Sequence, residues 1–267
     1  MNPPKWIEDI IPLVNHPAAN QENRQGIPLN LTLLSTTLEG FEKGELVLIT
    51  APPGEGKTQL ARTFTMDFVK KSMNVLWCSY ESTISQLKTL FFMSGLTEID
   101  NKKMVLVPVD HTESDILFIE QLMETNKANG INCLIVDDIH ALTSKHAFEQ
   151  RIADNMASYL RGLADRLKKI AKKYNCIVIT MAHLRKDAIK GSDNSLADLA
   201  YSGGLAQVPD IVLAIRNTGN NTGTIEIIKS RWSGQKIKIK VKSEKKLFTE
   251  LPITEQFTPT EIVERKW

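Results

Sequence analysis

The amino-acid sequence predicts an α/β fold, with a mostly parallel sheet flanked by helices and an antiparallel extension at its C-terminal end. Short apolar runs alternate with amphipathic stretches, which is the pattern of strands joined by helices that cover both faces of a sheet. After residue 215 the helical stretches stop and strand-like runs follow one another directly. A chain of 267 residues is long enough for one such domain with a full core.

The predicted parallel strands are apolar runs at 45–50, 74–80, 104–109, 132–138, 176–182 and 210–215. The clearest helical pattern lies at 147–174, where apolar residues recur at spacings of three and four and form one buried stripe. The runs 222–230 and 235–243 are predicted to be antiparallel strands joined by the turn "RWSG". Lysines alternate along the second of these runs, and we interpret them as the solvated face of an edge strand.

Composition narrows the classes of function. The net charge of +2 is too small to indicate a nucleic-acid-binding protein by bulk charge, so any such contact requires a local basic patch. Cys78, Cys133 and Cys176 lie in or beside apolar runs without metal-ligand spacing, which predicts buried, reduced thiols. We see no secretory signal and no apolar run long enough to cross a bilayer. These features predict a cytoplasmic protein with no membrane partner.

The stretch "APPGEGKT" at 51–58 follows a predicted strand and opens a predicted helix. This is the setting of a phosphate-binding loop, in which backbone N–H groups of the loop and the helix N-terminus point at phosphate oxygens. Lys57 would reach the β- and γ-phosphates, and the Thr58 hydroxyl would hold Mg²⁺. The candidate nucleotide-binding residues are Pro53, Gly54, Glu55, Gly56, Lys57, Thr58 and Gln59. The predicted ligands are therefore Mg²⁺ and ATP, or another NTP or dNTP.

Four further side chains are predicted at the carboxyl ends of strands, where open α/β sheets bind their ligands. Asp137 lies at the tip of the run 132–138 and would bind magnesium through water, whereas Asp138 would cap the following segment. Glu81 would polarise the attacking water, or else be a surface residue that begins a helix. His183 would be a structural histidine or a sensor of the γ-phosphate. A metal at His183 is not expected, because no second ligand lies near it in sequence.

The strand "IEII" at 225–228 ends in two cations, Lys229 and Arg231. Their side chains point to the same face, because side chains alternate along a strand. Two neighbouring positive charges repel each other unless an anion lies in front of them. One interpretation is therefore that Lys229 and Arg231 face an anion on another group or molecule. The alternative is that Arg231 is an ordinary surface arginine at the end of a strand.

The order of the motifs resembles the RecA-like ATPase domain of DnaB-type hexameric replicative helicases, with phage primase–helicases and Twinkle as the nearest members. The resemblance covers about residues 26–242 and rests on the quoted nucleotide loop and on "WCSYES", "CLIVDDIHAL", "ITMAHLRKD", "LADLAYSGGLAQVPDIVLAIRN" and "IIKSRWSG". Each motif is short, but their joint order is specific. The resemblance implies a RecA-like P-loop NTPase fold.

The resemblance also implies roles for individual residues. Glu81 matches the catalytic glutamate, and His183 matches the phosphate-sensing position. Arg231 matches an arginine finger that enters the ATP site of the adjacent subunit, with Lys229 assisting. Arg216 matches an arginine that stacks on the nucleotide base. The aromatic partner expected beyond Arg216 is not evident in the sequence, which leaves the preferred base open.

DNA contacts are implied in two loops that line the central channel of these helicases. Arg185, Lys186 and Lys190 belong to the loop after the sensor, where they could neutralise backbone phosphates without contacting bases. Lys145 is a candidate from the loop after Asp137. The loop after the sensor also holds Asp187 and Asp193, so it is not strongly basic.

The resemblance divides the chain into three predicted segments. Residues 1–25 would form a subunit-packing helix and a linker, residues 26–250 the helicase domain, and residues 251–267 a tail. Related helicases carry a primase or helical-hairpin domain before this one, and none is seen here. A stand-alone helicase, an excised domain and a motor loaded by another protein all stay open.

The predicted function is an ATP-driven helicase ring, expected to be hexameric, that moves 5′ to 3′ on single-stranded DNA and separates duplex during replication. A separate primase, loader or polymerase would be a further partner, in a bacterial or phage-infected cell. The alternative is an ATP-switched oligomeric scaffold of the RecA/KaiC kind, or a strand-pairing recombinase, neither of which unwinds DNA.

Overall fold

The computed structural model describes residues 24–97, 104–108, 116–142, 156–183 and 205–256. The strands of these ranges form one sheet in the order β3-β2-β4-β5-β1-β6-β7-β8-β9. Their bounds are Leu46–Ala51 (β1), Asn74–Ser79 (β2), Met104–Pro108 (β3), Ile131–Asp137 (β4), Ile177–His183 (β5), Ile211–Gly219 (β6), Thr222–Ser230 (β7), Lys238–Glu244 (β8) and Leu247–Glu250 (β9). From β3 to β6 every neighbouring pair is parallel, and from β6 to β9 every pair is antiparallel. The predicted α/β fold with an antiparallel extension is confirmed.

Helices lie on both faces of the sheet. Their bounds are Thr32–Leu38 (α1), Lys57–Lys70 (α2), Ile84–Met93 (α3), Ile116–Thr125 (α4), Met156–Tyr174 (α5) and Ile253–Gln256 (α6), with 3₁₀ turns at Lys127–Asn129, Ile139–Leu142 and Leu205–Gln207. Val47 and Ile49 of β1 face a core shared with α1, α2 and α3. Leu46 and Leu48 face a second core shared with α4 and α5. Because the central strand is buried on both sides, its carboxyl end is held rigidly.

The C-terminal strands differ from the expectation in one respect. The prediction that the lysine-bearing strand lies at the edge is wrong, because β9 pairs with β8 and becomes the edge itself. The N–H of Phe248 in β9 donates to Thr63 Oγ1 in α2 at 3.0 Å. The Glu250 carboxylate accepts bonds from the N–H groups of Leu33 and Leu34 at 2.9 and 3.0 Å, where an anion is favourable at a helix N-terminus. These contacts fasten the sheet extension to two helices.

Both ends of the described chain pack on the domain. The side chain of Gln256 in α6 bonds the backbone N–H and C=O of Lys240 at 2.8 and 2.9 Å. Arg24 at the other end forms an ion pair with Glu45 at 2.7 Å. The predicted helix at 147–174 is observed from Met156 onwards, and its earlier residues lie outside the described ranges. None of the helices in the described part of the chain is long and apolar enough to cross a membrane.

Candidate nucleotide-hydrolysis site

The glycine-rich loop connects β1 to α2, as the sequence predicts. Gly54 and Gly56 have φ angles of 81° and 102°, a region that L side chains rarely adopt, so glycine is required at both turns. A Cβ atom added to Gly56 would lie 2.9 Å from Cζ of Phe248, so the loop also needs the missing side chain for close packing. The loop leads directly into the N-terminus of α2, whose free N–H groups form an anion site.

Lys57 and Thr58 begin α2 and face the carboxyl ends of the neighbouring strands. The buried Lys57 places Nζ 2.9 Å from Nδ1 of His183 at the end of β5. The Thr58 hydroxyl donates to the buried carboxylate of Asp137 at the end of β4, with an O–O distance of 3.1 Å. Parallel strands bring these groups from distant parts of the sequence to one edge of the sheet.

Glu81 and Asp138 meet on the other nitrogen of His183. Glu81 Oε1 lies 3.1 Å and Asp138 Oδ2 3.0 Å from His183 Nε2. The ammonium of Lys57 can only donate, so Nδ1 accepts and Nε2 carries the hydrogen that faces the two carboxylates. His183 therefore connects the candidate phosphate-binding lysine, Lys57, to the candidate catalytic glutamate, Glu81. Asp138 Oδ1 also accepts bonds from the N–H groups of His140 and Ala141, which is the predicted capping role.

The turn that carries Glu81 is held by local hydrogen bonds. Ser79 Oγ donates to Ser82 O at 2.7 Å and accepts from Ser82 N at 3.1 Å. Thr83 and Gln86 then form a capping box that starts α3, since each side chain satisfies a free N–H of the helix N-terminus. The side chain of Glu81 is 49% exposed, so water can reach it.

Burial and neighbouring charges shift the acid–base properties of the site. Burial, followed by the charge of Glu81, raises the pKa of Asp137 to about 7. Burial acts in the same direction on Asp138, but hydrogen bonds from His140 and His183 outweigh it and lower the pKa of that carboxyl. The hydrogen bond to Asp138 raises the pKa of His183. Burial lowers the pKa of Lys57, although the surrounding carboxylates oppose that shift.

The oxygen atoms of Thr58 and Asp137 fit Mg²⁺, which prefers hard oxygen ligands and keeps several waters. A cation beside Asp137 would also stabilise the carboxylate that burial disfavours. The fold brings Glu81, Asp138 and His183 together as well, with potential ligand atoms within 4.8 Å of one another. No second metal ligand was expected for His183, because none lies near it in the sequence. The fold nevertheless places two carboxylates, those of Glu81 and Asp138, beside it.

We expect the raised pKa of Asp137 to appear in the pH dependence of stability. The folded protein holds a proton on Asp137 at pH values where the unfolded chain has lost it, so stability falls as the pH rises from about 4 towards 7, by up to ~1.4 kcal/mol per pH unit. Urea unfolding without nucleotide or Mg²⁺ should therefore show a shallower pH slope for Asp137→Asn than for wild type. Asp165→Asn, at an exposed carboxyl group of α5, serves as the control. Equal slopes in wild type and Asp137→Asn would contradict the assignment.

A cavity of about 200 Å³ adjoins the glycine-rich loop. Its lining includes Glu55, Gly56, Gln59, Arg216, Asn217, Ser243 and Phe248. Glu55 accepts a bond from Asn217 N, and Gln59 Nε2 donates to Ser243 Oγ at 2.8 Å, so the loop is tied to the sheet extension. Arg216, to which the family resemblance assigns stacking on the nucleotide base, is one of the residues that line this cavity. The sequence did not indicate that Phe248 lines this cavity, because its strand β9 is only four residues long and shows no clear alternation of apolar and polar residues.

Lys229 and Arg231 lie at the amino-terminal ends of the parallel strands, whereas the phosphate loop lies at their carboxyl ends. Strand β7 runs antiparallel to β6, which places Ser230 beside Ile211, and Ile211 lies beside Val47 near the start of β1. The phosphate loop follows the other end of β1, which a strand rise of about 3.3 Å per residue puts roughly 15 Å away. Arg231 therefore does not serve the phosphate loop of its own chain.

Within the chain the two cations contact neighbouring oxygen atoms. Lys229 Nζ donates to the carbonyl groups of Ala206 and Gln207 at 3.2 and 2.8 Å. Arg231 Nη1 lies 3.3 Å from Oδ1 of the buried Asp210, and its side chain is 48% exposed. Burial lowers the pKa of Lys229, and the charge of Arg231 adds to this shift.

The predicted DNA-binding residues Lys145, Arg185, Lys186 and Lys190 lie outside the described residues. So does the apolar N-terminal stretch that the sequence predicts to be a subunit-packing helix.

The family described as ATPase: KaiC matches residues 26–242. The chain belongs to this family. As a KaiC-family ATPase, it is 23% identical over 256 residues to the replicative DNA helicase DnaB of Treponema pallidum, covering 85% of this chain and 56% of that protein. It is 26% identical over 148 residues to the DNA repair protein RadA of Rickettsia conorii, covering 55% of this chain and 31% of RadA. The matches thus span about half or less of these relatives.

Solved structures share the fold of this KaiC-family chain. The ATPase domain of G40P superposes with a TM-score of 0.76 at 18% identity, covering 93% of this chain and all of that one. A DnaB-like replicative helicase, described with its interactions with primase, superposes with a TM-score of 0.74 at 18% identity, covering 93% of this chain and 67% of that one. The RecA-like fold and the resemblance to DnaB-type helicases are confirmed.

Proposed function

We propose that the chain is the motor domain of an ATP-dependent, ring-shaped DNA helicase that moves 5′ to 3′ on single-stranded DNA and separates duplex during replication. The observation that carries this proposal is the convergence of Lys57, Thr58, Asp137, Glu81 and His183 at one edge of the sheet. These side chains supply the groups that phosphate binding, metal binding and water activation require. The similarity to DnaB-type helicases then favours DNA translocation as the use of the hydrolysis energy.

In the proposed hydrolysis reaction, the loop N–H groups and Lys57 bind the β- and γ-phosphates. Thr58 and Asp137 would hold Mg²⁺, which neutralises charge on the phosphate oxygens when it is bound. Glu81 accepts a hydrogen bond from the attacking water and orients it for in-line attack, and its exposure gives water access. In the cavity next to the loop, Arg216 and Phe248 would contact the base.

His183 is proposed to report whether a γ-phosphate is present. Its Nδ1 accepts a bond from Lys57, and its Nε2 faces Glu81. A γ-phosphate draws the Lys57 ammonium towards its own oxygens, which frees Nδ1 of its donor. The same imidazole touches the glutamate that orients water, so binding at one nitrogen alters the hydrogen bonding at the other.

Arg231 is proposed to act on the ATP bound by the adjacent subunit, with Lys229 assisting. Arg231 lies near the start of β1, and the phosphate loop of its own chain follows the other end of β1, which supports this role. In a closed head-to-tail ring, the surface of one subunit that carries Arg231 can face the nucleotide of the next subunit. We propose a hexamer, in which hydrolysis depends on assembly.

DNA is proposed to bind the loop that contains Arg185, Lys186 and Lys190. Their combined replacement by Ala should weaken binding to single-stranded DNA and flatten the dependence of affinity on salt, because fewer phosphate counterions are released. Basal ATPase activity should survive, since none of the three belongs to the phosphate site. The measurement is fluorescence anisotropy of labelled oligo-dT over a salt series. A salt slope equal to that of wild type would move the DNA path elsewhere.

A second candidate function is recombination, which the match to RadA favours. A recombinase or an ATP-switched scaffold would oligomerise with ATP and bind DNA but would not separate a duplex. ATPase activity with and without single-stranded DNA, combined with strand-exchange and unwinding assays, distinguishes the classes. Strand exchange without unwinding would support the recombinase, and oligomerisation without either activity would support the scaffold.

The proposed location is the cytoplasm of a bacterial or phage-infected cell. A separate primase is a proposed partner, in line with the interaction named for the structurally similar DnaB-like helicase. A loader and a polymerase are further proposed partners.

A further inference from the structure

The turn that carries Arg231 is fastened from two sides. Residues 231–233 form this turn directly after β7. On one side, the N–H of Arg231 donates to Asp210 O at 2.9 Å. On the other side, the indole Nε1 of Trp232 donates to Glu45 Oε1 at 2.6 Å. The turn therefore has a backbone anchor and a side-chain anchor next to the arginine.

Glu45 is a rigid acceptor for this indole. Its carbonyl oxygen accepts a bond from Val178 N at 2.9 Å, which fixes its backbone at the start of the central strand. Its other carboxylate oxygen, Oε2, receives Arg24 Nη2 at 2.7 Å and Glu42 N at 2.8 Å. Glu45 is buried, and a buried carboxylate with three donors keeps one orientation. The Arg24 guanidinium also lies 5.9 Å from the centre of the Trp232 ring.

The guanidinium of Arg231 is held much less firmly than its backbone. The Arg231 side chain is 48% exposed, and its contact with Oδ1 of the buried Asp210 is 3.3 Å long. Its Nη2 lies 3.5 Å from Val208 O, at the limit of a hydrogen bond. The other oxygen of the Asp210 carboxylate, Oδ2, is held by closer partners, Leu46 N at 2.8 Å and Lys168 Nζ at 2.5 Å, so the carboxylate keeps its place without Arg231. Arg231 can therefore leave Asp210 for an external phosphate while the turn stays in place.

We propose that Trp232 is a positioning residue for the arginine finger: its hydrogen bond to Glu45 fixes the direction from which Arg231 reaches a neighbouring nucleotide. Because Arg24 holds the other oxygen of Glu45, this anchor also connects the finger to the beginning of the described chain. The inference rests on the proposed action of Arg231 on the adjacent subunit. It explains why an indole that is 59% exposed on the surface still makes a short hydrogen bond to a buried carboxylate.

The test uses Trp232→Phe, which keeps an aromatic ring, although a smaller one, beside Arg24 and lacks the N–H donor. We expect kcat for ATP hydrolysis to fall roughly ten- to hundred-fold with little change in KM, because a displaced finger affects the transition state and not nucleotide binding. Ser233→Ala alters the same turn without touching the anchor, and it should behave like wild type. Thermal unfolding of each variant checks that the fold is intact.

Mixed rings separate a positioning role from a general structural defect. Trp232→Phe mixed with Lys57→Ala pairs an intact phosphate loop with an intact finger, so activity should rise. The double variant Trp232→Phe/Lys57→Ala mixed with Arg231→Ala offers only the displaced finger, so activity should stay low.

Two results overturn the inference in distinguishable ways. If Arg231→Ala abolishes hydrolysis but Trp232→Phe has wild-type kcat, the positioning role is wrong and the proposed function stands. If Arg231→Ala hydrolyses ATP normally, the proposed action of the finger fails, and the role of Trp232 fails with it.

Discussion

Replacing Glu81 by Gln is expected to preserve ATP binding and to slow ATP hydrolysis by roughly 10²- to 10⁴-fold. Glutamine has nearly the same shape and can still accept a bond from His183, which lies 3.1 Å from Glu81 in the structure. It is a far weaker base than a carboxylate, so it cannot take the proton of the attacking water. The measurements are the Kd for a fluorescent ATP analogue and kcat in the presence of single-stranded DNA.

A matched control separates charge loss at the site from charge loss in general. Glu120→Gln makes the same chemical change in α4, where Glu120 pairs with Arg166 on the surface at 2.9 Å. Its activity should equal that of wild type. A normal kcat for Glu81→Gln would remove the catalytic role of this residue and leave it as a surface glutamate beside a structural histidine.

Arg231→Ala is expected to form rings and bind nucleotide but to lose hydrolysis by roughly 10³-fold or more. The strand registers place Arg231 at the opposite end of the strands from its own phosphate loop. Its charge can therefore stabilise a transition state only on a neighbouring subunit. Arg166→Ala, at a surface arginine of α5, is the matched control and should retain activity.

Mixing Arg231→Ala with Lys57→Ala tests this action between subunits. Some interfaces of a mixed ring combine the intact phosphate loop of the first variant with the intact finger of the second. Those interfaces should recover ATPase activity that neither variant shows alone. If mixed rings are demonstrated by native mass spectrometry and no activity returns even without DNA, the assignment loses its main support.

Much of the fold was predictable because the central strands are buried on both faces. Such strands are continuous apolar runs, and the observed bounds of β1, β4 and β5 lie within one residue of those predicted. The phosphate loop was equally clear, since a glycine-rich stretch between a strand and a helix has few other uses. Parallel topology then brought Glu81 and His183 to the same edge, as expected.

The missed features depend on contacts between distant parts of the chain. Strand β9 is four residues long and buries only Phe248, so it has no alternation to detect. The lysines of β8 face outwards whether or not another strand pairs with it, because pairing uses the backbone, and the edge assignment failed for that reason. Glu45 and Asp210 are isolated acidic residues in the sequence, and only the fold shows that they flank the turn of Arg231.

The most direct test of the proposed motor is unwinding of a forked DNA duplex with ATP and Mg²⁺. Wild type is predicted to separate a fork that has a 5′ single-stranded tail and to show ATPase activity stimulated by single-stranded DNA. Lys57→Ala should do neither, because it lacks the phosphate-binding cation. If assembled wild-type rings hydrolyse ATP and bind single-stranded DNA but leave the fork intact, the protein is not a helicase on its own and the account is contradicted.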